Sequence, residues 1–144
     1  MFNTHIQQLK LIDFGFAAKY EMNEMIKLLP INGTITFAGH QFLNFISSLS
    51  FDSLKSQCYA YERTFDLKCG LNIIMYINDN IVQVKMKSIQ KVEYFQEKTS
   101  QTLKLWKNLE QNNKNYSNIL NLIDNLTQSS TFDIIKNELE KFIY

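Results

Sequence analysis

The chain is poor in residues that build several common kinds of site. Its four glycines, Gly15, Gly33, Gly39 and Gly70, match neither the G-x-G-x-x-G nor the G-x-x-x-x-G-K spacing of phosphate-binding loops. Two cysteines are too few for a disulfide framework or a four-cysteine zinc site. The longest apolar run, residues 73–77, is far too short to span a bilayer. These scarcities argue against a nucleotide-binding glycine loop, a disulfide-rich fold and a membrane-spanning helix.

Charge gives no sign of a particular partner. The chain has 15 Lys and Arg against 14 Asp and Glu, so its net charge is +1. Nucleic acids and anionic membranes attract proteins through an excess of positive charge, so we expect neither as a partner. No basic-then-apolar leader opens the sequence. We therefore expect a cytoplasmic protein in which Cys58 and Cys69 are reduced thiols and in which His5 and His40 bind no metal.

The length predicts a single domain over residues 1–144, and a hydrophobic content of 45% is enough to build its core. The apolar residues from Leu9 to Ile12, followed by Asp13 and Gly15, predict a short buried strand that enters a turn. Residues 18–30 have a weak pattern, which we interpret as a loop or an irregular helix. Residues 37–50 match neither helix nor strand spacing.

The second half of the chain predicts helices. Residues 65–77 are apolar on every face, which is typical of a buried helix, and Asp66 is placed to cap its N-terminus. Gly70 inside this helix suggests close packing. Further helices are predicted over residues 88–97 and 102–110, along the stripe from Ile119 to Leu126, and after the S-x-x-D capping box at residues 130–133. The fold class is therefore mainly α, with one short strand and turn ahead of a helical bundle around a buried central helix.

Three motifs, in order along the chain, give this sequence a family resemblance. Asp13-Phe14-Gly15 resembles the metal-binding turn of protein kinases, and residues 33–38, which begin with Gly33-Thr34, resemble the G-T-x-x-Y end of a kinase activation segment. Residues 66–77 are similar to the buried helix that organises the C-lobe in the casein kinase 1 group. The resemblance covers residues from about 9 to the end, so the chain resembles a kinase C-lobe that begins just after the catalytic loop.

The resemblance implies a role for several residues. Asp13 would ligate Mg²⁺ that bridges the phosphates of ATP, and Phe14 and Gly15 would set the turn. Thr34 would contact the catalytic Asp, and Asp66 would bond the catalytic-loop backbone. The family's glycine-rich loop, ATP-binding lysine and catalytic loop have no counterpart in these residues, and Gly39-His40-Gln41 replaces A-P-E. We therefore expect the chain alone to bind neither Mg²⁺ nor ATP and to contain no catalytic residue.

Two functions follow from this interpretation. The chain is either part of a serine/threonine kinase lineage that is inactive alone, or a pseudokinase-type interaction module without nucleotide chemistry. Its expected partner is another protein or the N-terminal half of a kinase domain.

Because the catalytic-loop segment would cover Asp66 and the 9–12 strand, we also expect an open apolar surface. The cluster of Lys85, Lys87 and Lys91 is interpreted as a solvated helix face, and the aromatic set Phe95, Trp106, Phe132 and Phe142 as core.

Overall fold

Most of the chain after residue 17 is helical. The computed structural model describes residues 2–3, 8–9, 18–21, 23–31, 34–49, 57–126 and 130–143. The described helices are α1 (His40–Ser48), α2 (Phe65–Asn78), α3 (Asn80–Gln90), α4 (Phe95–Asn112), α5 (Lys114–Asp124) and α6 (Ser130–Ile143). Two antiparallel strand pairs accompany them, β1 (Phe2–Asn3) with β2 (Gln8–Leu9) and β3 (Ile26–Pro30) with β4 (Cys58–Glu62). The mainly helical fold class is confirmed in this coarse form.

Helix α4 makes extensive contacts with three other helices, more than the helix over residues 65–77 that was predicted to be central. It packs against α1, α3 and α5, while α2 packs against α3 and α5. Trp106 of α4 is completely buried, as the sequence predicts, and its ring stacks on that of Tyr116 from α5. The side chains of Phe132 and Phe142 lie outside the described residues. The apolar stripe predicted after Tyr116 is confirmed in α5, where Ile119 and Ile123 are buried.

Helix α2 forms over nearly the predicted residues, but two details of the prediction are wrong. Its N-cap is Thr64, and the exposed Asp66 lies in the first turn, where a carboxylate favours the positive end of the helix dipole. The helix is not buried on every face either, because Ile73 and Ile77 are 41% and 62% exposed. Apart from the neighbouring backbone of α2 and the adjacent residues, no described atom would lie within 4 Å of a Cβ at position 70, so close packing does not explain Gly70.

The structure also corrects two other segment predictions. Residues 26–30 form strand β3 and not a loop or irregular helix, because they pair with β4. The helix predicted over residues 88–97 does not exist as one unit, since α3 ends at Gln90 and α4 begins at Phe95. Residues 37–50, which had no predicted structure, contain α1. The predicted strand over residues 9–12 and the turn after it lie outside the described residues apart from Leu9 in β2.

Five aromatic side chains join the antiparallel β3–β4 pair to the helices; we call this pair the hairpin, although α1 lies between its strands in sequence. Phe42 of α1 lies 5.0 Å from Tyr59 and 5.8 Å from Tyr61, both on the inner face of β4, measured between ring centroids. Phe45 and Phe65 complete the cluster from α1 and α2. The edge-to-face pairs among them, Phe42 with Tyr59 and Phe65 with Tyr61, contribute about 0.5–1.5 kcal/mol each beyond their buried area. The cluster fixes which face of the hairpin points inward and therefore which face meets solvent.

Candidate functional site

The residues predicted to carry kinase chemistry are only partly described. Asp13, Phe14, Gly15 and Gly33 lie outside the described residues. Thr34 is exposed, and Asp66 is exposed at the start of α2. The roles that the resemblance implies for these residues stay predictions. Within the described ranges, no three His, Cys, Asp or Glu side chains are grouped so that they could hold a metal ion.

The segment that follows Thr34 is held against the helical core by side chains. The Trp106 Nε1–H donates to the Thr36 carbonyl at 3.2 Å. The Asn72 amide donates to the carbonyls of Phe37 at 3.0 Å and Ala38 at 3.2 Å. Since buried polar groups cost free energy unless they are paired, these bonds fix one backbone path for the segment. Residues 36–38 are therefore attached to α2 and α4.

A buried lysine lies next to this segment. Lys68 of α2 is 6% exposed, and its Nζ binds the carboxylate of Glu62 and, at 2.6 Å, that of Asp124. Burial lowers the pKa of Lys68, but the hydrogen bonds to Asp124 and Glu62 outweigh it and raise the pKa above its usual value. The Lys68 side chain also packs against Gly39, and a Cβ added at Gly39 would lie 3.4 Å from Lys68 Cδ. The cluster links β4, α2 and α5 beside the start of α1.

His40 begins α1 and contacts α4. Its Nδ1 lies 3.1 Å from a carboxylate oxygen of Glu110. Its Nε2 is buried and has no hydrogen-bond partner in the described part of the chain. Burial lowers the pKa of His40, and the nearby Lys107 lowers it further, while Glu110 opposes both. Burial therefore disfavours the charged form of the ring, although its Nδ1 lies next to the Glu110 carboxylate.

Lys68 and Asn72 were missed in the sequence, although a signal was present. Both are polar residues inside a run that otherwise predicts a buried helix, and they are four positions apart, so they share one helix face. Polar side chains on a buried face need partners, which is the reason to expect a hydrogen-bond network there. Their partners come from distant parts of the chain and could not be identified from spacing alone.

The outer face of the β3–β4 hairpin is apolar and exposed. The register pairs Ile26 with Glu62, Leu28 with Ala60 and Pro30 with Cys58, and all except Glu62 are exposed. Ile26 and Leu28 are 58% and 69% exposed, and Met25 beside them is 50% exposed. We call Ile26, Leu28, Pro30, Cys58 and Ala60 the hairpin outer face. No described side chain covers these residues.

A groove lies at the end of the hairpin where β3 begins and β4 ends. It has a volume of about 600 Å³ and is lined by Met25, Ile26 and Ala60 from the hairpin, by Gln41 from α1 and by Asp124 and Leu126 after α5, among others. Other exposed apolar side chains lie on α2 and α3, namely Ile73, Ile77, Ile81 and Val84. The predicted apolar surface beside residues 9–12 stays a prediction, because residues 10–12 lie outside the described ranges.

The basic residues behave as surface side chains. Lys85, Lys87 and Lys91 are exposed, in agreement with a solvated face. Cys58 is exposed and Cys69 is half-buried, and both are free thiols.

Of the helices described here, none is both long and apolar enough to cross a membrane. Comparison of the chain with protein-family models, with curated proteins and with solved structures finds no match.

Proposed function

We propose that this protein is a kinase-like helical lobe that binds other protein surfaces and has no phosphoryl-transfer activity of its own. The observation that carries the binding role is the hairpin outer face, where Ile26 and Leu28 expose more than half of their surface. Exposed apolar patches on soluble domains mark contact sites more often than isolated apolar residues do. The kinase lineage rests on the motifs at Asp13–Gly15, Gly33-Thr34 and Asp66.

The attachment of the 36–38 segment supports the kinase-like part of the proposal. In a kinase, the end of the activation segment must be anchored to the helical lobe to present a peptide. Here Trp106 and Asn72 provide such an anchor for Thr36, Phe37 and Ala38. The same anchor serves a binding module equally well, since it gives the segment one defined conformation.

The absence of activity follows from how phosphoryl transfer works. Catalysis depends on positioning and charge stabilisation by a glycine-rich loop, a lysine, two metal-binding residues and a catalytic base acting together. Of these groups, the 144 residues offer only the Asp13 carboxylate. A single carboxylate binds Mg²⁺ weakly, because the ion keeps several waters and also needs substrate phosphates.

Calorimetric titration with Mg-ATP and a transfer assay with labelled ATP and casein test the part of this proposal that denies phosphoryl-transfer activity. We expect binding no tighter than about millimolar and no transfer, and the Asp13→Asn variant should give the same result. Micromolar binding of Mg-ATP, or transfer of phosphate that Asp13→Asn abolishes, would overturn the proposal.

A second candidate is phosphoryl transfer by a full kinase domain whose C-terminal half these residues form. The anchored 36–38 segment favours it, because a peptide-binding platform is of use to an active kinase. Reading the transcript upstream of the Met1 codon tests it. An in-frame H-x-D-x-K-x-x-N motif, with a lysine-bearing strand before it, would support this candidate, and a stop codon would exclude it.

A further inference from the structure

The outer edge of β3 carries backbone hydrogen-bonding groups that no described strand pairs. Arg63 N–H donates to the Met25 carbonyl at 2.9 Å, and Ile31 N–H donates to the Gln57 carbonyl at 3.4 Å. In an antiparallel ladder, hydrogen-bonded pairs alternate along the strand, so Met25, Lys27, Leu29 and Ile31 direct their backbone groups toward β4. Ile26, Leu28 and Pro30 therefore direct theirs toward the opposite edge, which no described strand pairs.

An unpaired edge beside exposed apolar side chains is a template for another strand. The free edge of β3 offers the N–H groups of Ile26 and Leu28 and the carbonyls of Ile26, Leu28 and Pro30. The same residues expose their side chains on the hairpin outer face. A strand added at this edge would gain main-chain hydrogen bonds and apolar contacts together, as in recognition by strand addition.

We propose that the strand which pairs with this edge is β3 of a second copy of the chain, so that two hairpins join into a four-stranded antiparallel sheet. This inference deepens the proposed binding function, on which it rests for the use of the hairpin outer face. The two-fold axis passes through the Leu28 pair. Each Leu28 N–H donates to the carbonyl of the second copy's Leu28, and each Ile26 N–H donates to the carbonyl of the second copy's Pro30.

The side chains of β3 suit this self-pairing. On the outer face, Leu28 meets its own equivalent and Ile26 meets Pro30, so every cross-strand contact is apolar. On the inner face, Lys27 falls opposite Leu29, and two lysines are not brought opposite each other. Pro30 lacks an N–H, but in this register it needs only to accept a hydrogen bond. The only carbonyls without a donor are those of Ile26, at the two ends of the junction, where water reaches them.

The overall charge permits such a dimer. A net charge of +1 per chain produces little long-range repulsion between two copies. The sheet is also the kind of contact that a two-fold axis closes, since the same edge serves both partners and leaves no free edge on β3. A different protein would have to supply an apolar strand of matching register, whereas β3 itself already has one.

Sedimentation equilibrium of the full chain, from about 1 to 500 µM, tests the proposal. We expect a monomer–dimer equilibrium that Leu28→Pro weakens at least tenfold, because proline removes the central N–H donor on the free edge and leaves the bonds to β4 intact. Ala60→Pro is the matched control. Ala60 lies opposite Leu28, and its N–H points to the other edge of the hairpin, so this variant should dimerise like the natural chain.

A second pair of variants covers the case in which proline disturbs the hairpin. Leu28→Glu places two carboxylates opposite each other at the two-fold axis and should weaken the dimer at low salt more than at high salt. Ala60→Glu puts the same charge on the same face, one strand away from the axis, and should have little effect. Circular dichroism confirms that each variant is folded.

Amide hydrogen exchange gives an independent readout. The amides of Lys27 and Leu29 should be protected at every concentration because they bond to β4, whereas those of Ile26 and Leu28 should become protected only as the dimer forms. A chain that stays monomeric over the whole concentration range, or a dimer that the Leu28 and Ala60 variants weaken equally, would overturn the proposal. Either result would leave the ATP titration and the transfer assay, which test the proposed function, unaffected.

Discussion

The Tyr116 hydroxyl donates a hydrogen bond of 2.7 Å to the side-chain carbonyl of Asn72, and both residues are 1% exposed. The amide of Asn72 donates to the carbonyls of Phe37 and Ala38 at the same time. One buried side chain therefore ties α5 and the segment before α1 to α2. Burial raises the pKa of Tyr116 well above its ordinary value, so the hydroxyl keeps its proton for this bond at neutral pH.

Removal of Asn72 should therefore be costly. Asn72→Leu leaves two carbonyls and a hydroxyl without partners, and we expect the free energy of unfolding to fall by about 3 kcal/mol. Tyr116→Phe should cost about 1–2 kcal/mol, and the double variant should cost less than the sum, because both remove the same bond. Asn78→Leu is the control, since Asn78 is exposed on the same helix. Urea denaturation gives the values, and strict additivity would contradict the coupling.

These polar contacts mark the limit of what the sequence predicts. The apolar spacing of residues 65–77 predicts α2, and the stripe at Ile119 and Ile123 predicts α5, because a helix is specified by neighbours in sequence. The hairpin is different. Ile26 pairs with Glu62, which lies 36 positions further along the chain, so the strand identity of residues 26–30 depends on a partner that local pattern does not reveal.

The candidate site has the same limit. Polar residues within the buried stripe of α2 indicate a network, but the sequence does not say that Lys68 meets Asp124 or that Asn72 meets Tyr116. The break between α3 and α4 contains neither glycine nor proline, and so the usual signal that ends a helix was absent from residues 91–94. The hairpin outer face also required the register, since only the pairing shows that Ile26, Leu28 and Ala60 share one side of the sheet.

Lys68 should stabilise the fold through its two carboxylates. Lys68→Met keeps most of the packing against Gly39 but leaves Glu62 and Asp124 without their cation, and we expect a loss of about 2 kcal/mol. The figure is below that for a fully buried pair, because the side chain of Asp124 is 46% exposed. Lys104→Met, at an exposed position of α4, should change stability by less than about 0.5 kcal/mol. Equal effects of the two substitutions in urea denaturation would contradict the role of the cluster.

His40 should make the fold sensitive to mild acid. Its folded pKa is lowered from 6.5, mainly by burial, so below pH 6.5 the unfolded chain binds a proton that the folded chain does not. The free energy of unfolding should therefore fall as the pH drops below 6.5, with a slope of at most about 1.4 kcal/mol per pH unit from this group. His40→Gln should flatten the slope between pH 6.5 and 5 in urea titrations, while His5 remains in both proteins. An unchanged slope would contradict this assignment.

The two thiols should differ sharply in reactivity. Burial raises the pKa of Cys69 to about 12, so almost none of it is thiolate at pH 8, whereas Cys58 is exposed. Reaction with an aromatic disulfide reagent should therefore show one fast thiol per folded chain and a second only after unfolding. Cys58→Ser should remove the fast phase, and Cys69→Ser should leave it. A fast phase that persists in Cys58→Ser would contradict the burial of Cys69.

The natural glycine at position 70 should lower the free energy of unfolding relative to alanine. It lies inside α2, and apart from the neighbouring backbone of α2 and the adjacent residues, a Cβ would meet no described atom within 4 Å. Gly70→Ala should therefore raise the free energy of unfolding by about 1 kcal/mol, because alanine loses less backbone entropy on entering a helix. For a domain of this size, that corresponds to a rise of about 2–4 °C in the melting temperature.

Gly39→Ala is the matched control for Gly70→Ala. Gly39 is the N-cap of α1, where alanine is a poorer residue than glycine, and its Cβ would lie against Lys68. This variant should gain no stability. Differential scanning calorimetry measures both variants under one condition. A loss of stability in Gly70→Ala would contradict the open space beside this helix face, and an equal gain in both variants would show that the effect belongs to the unfolded chain.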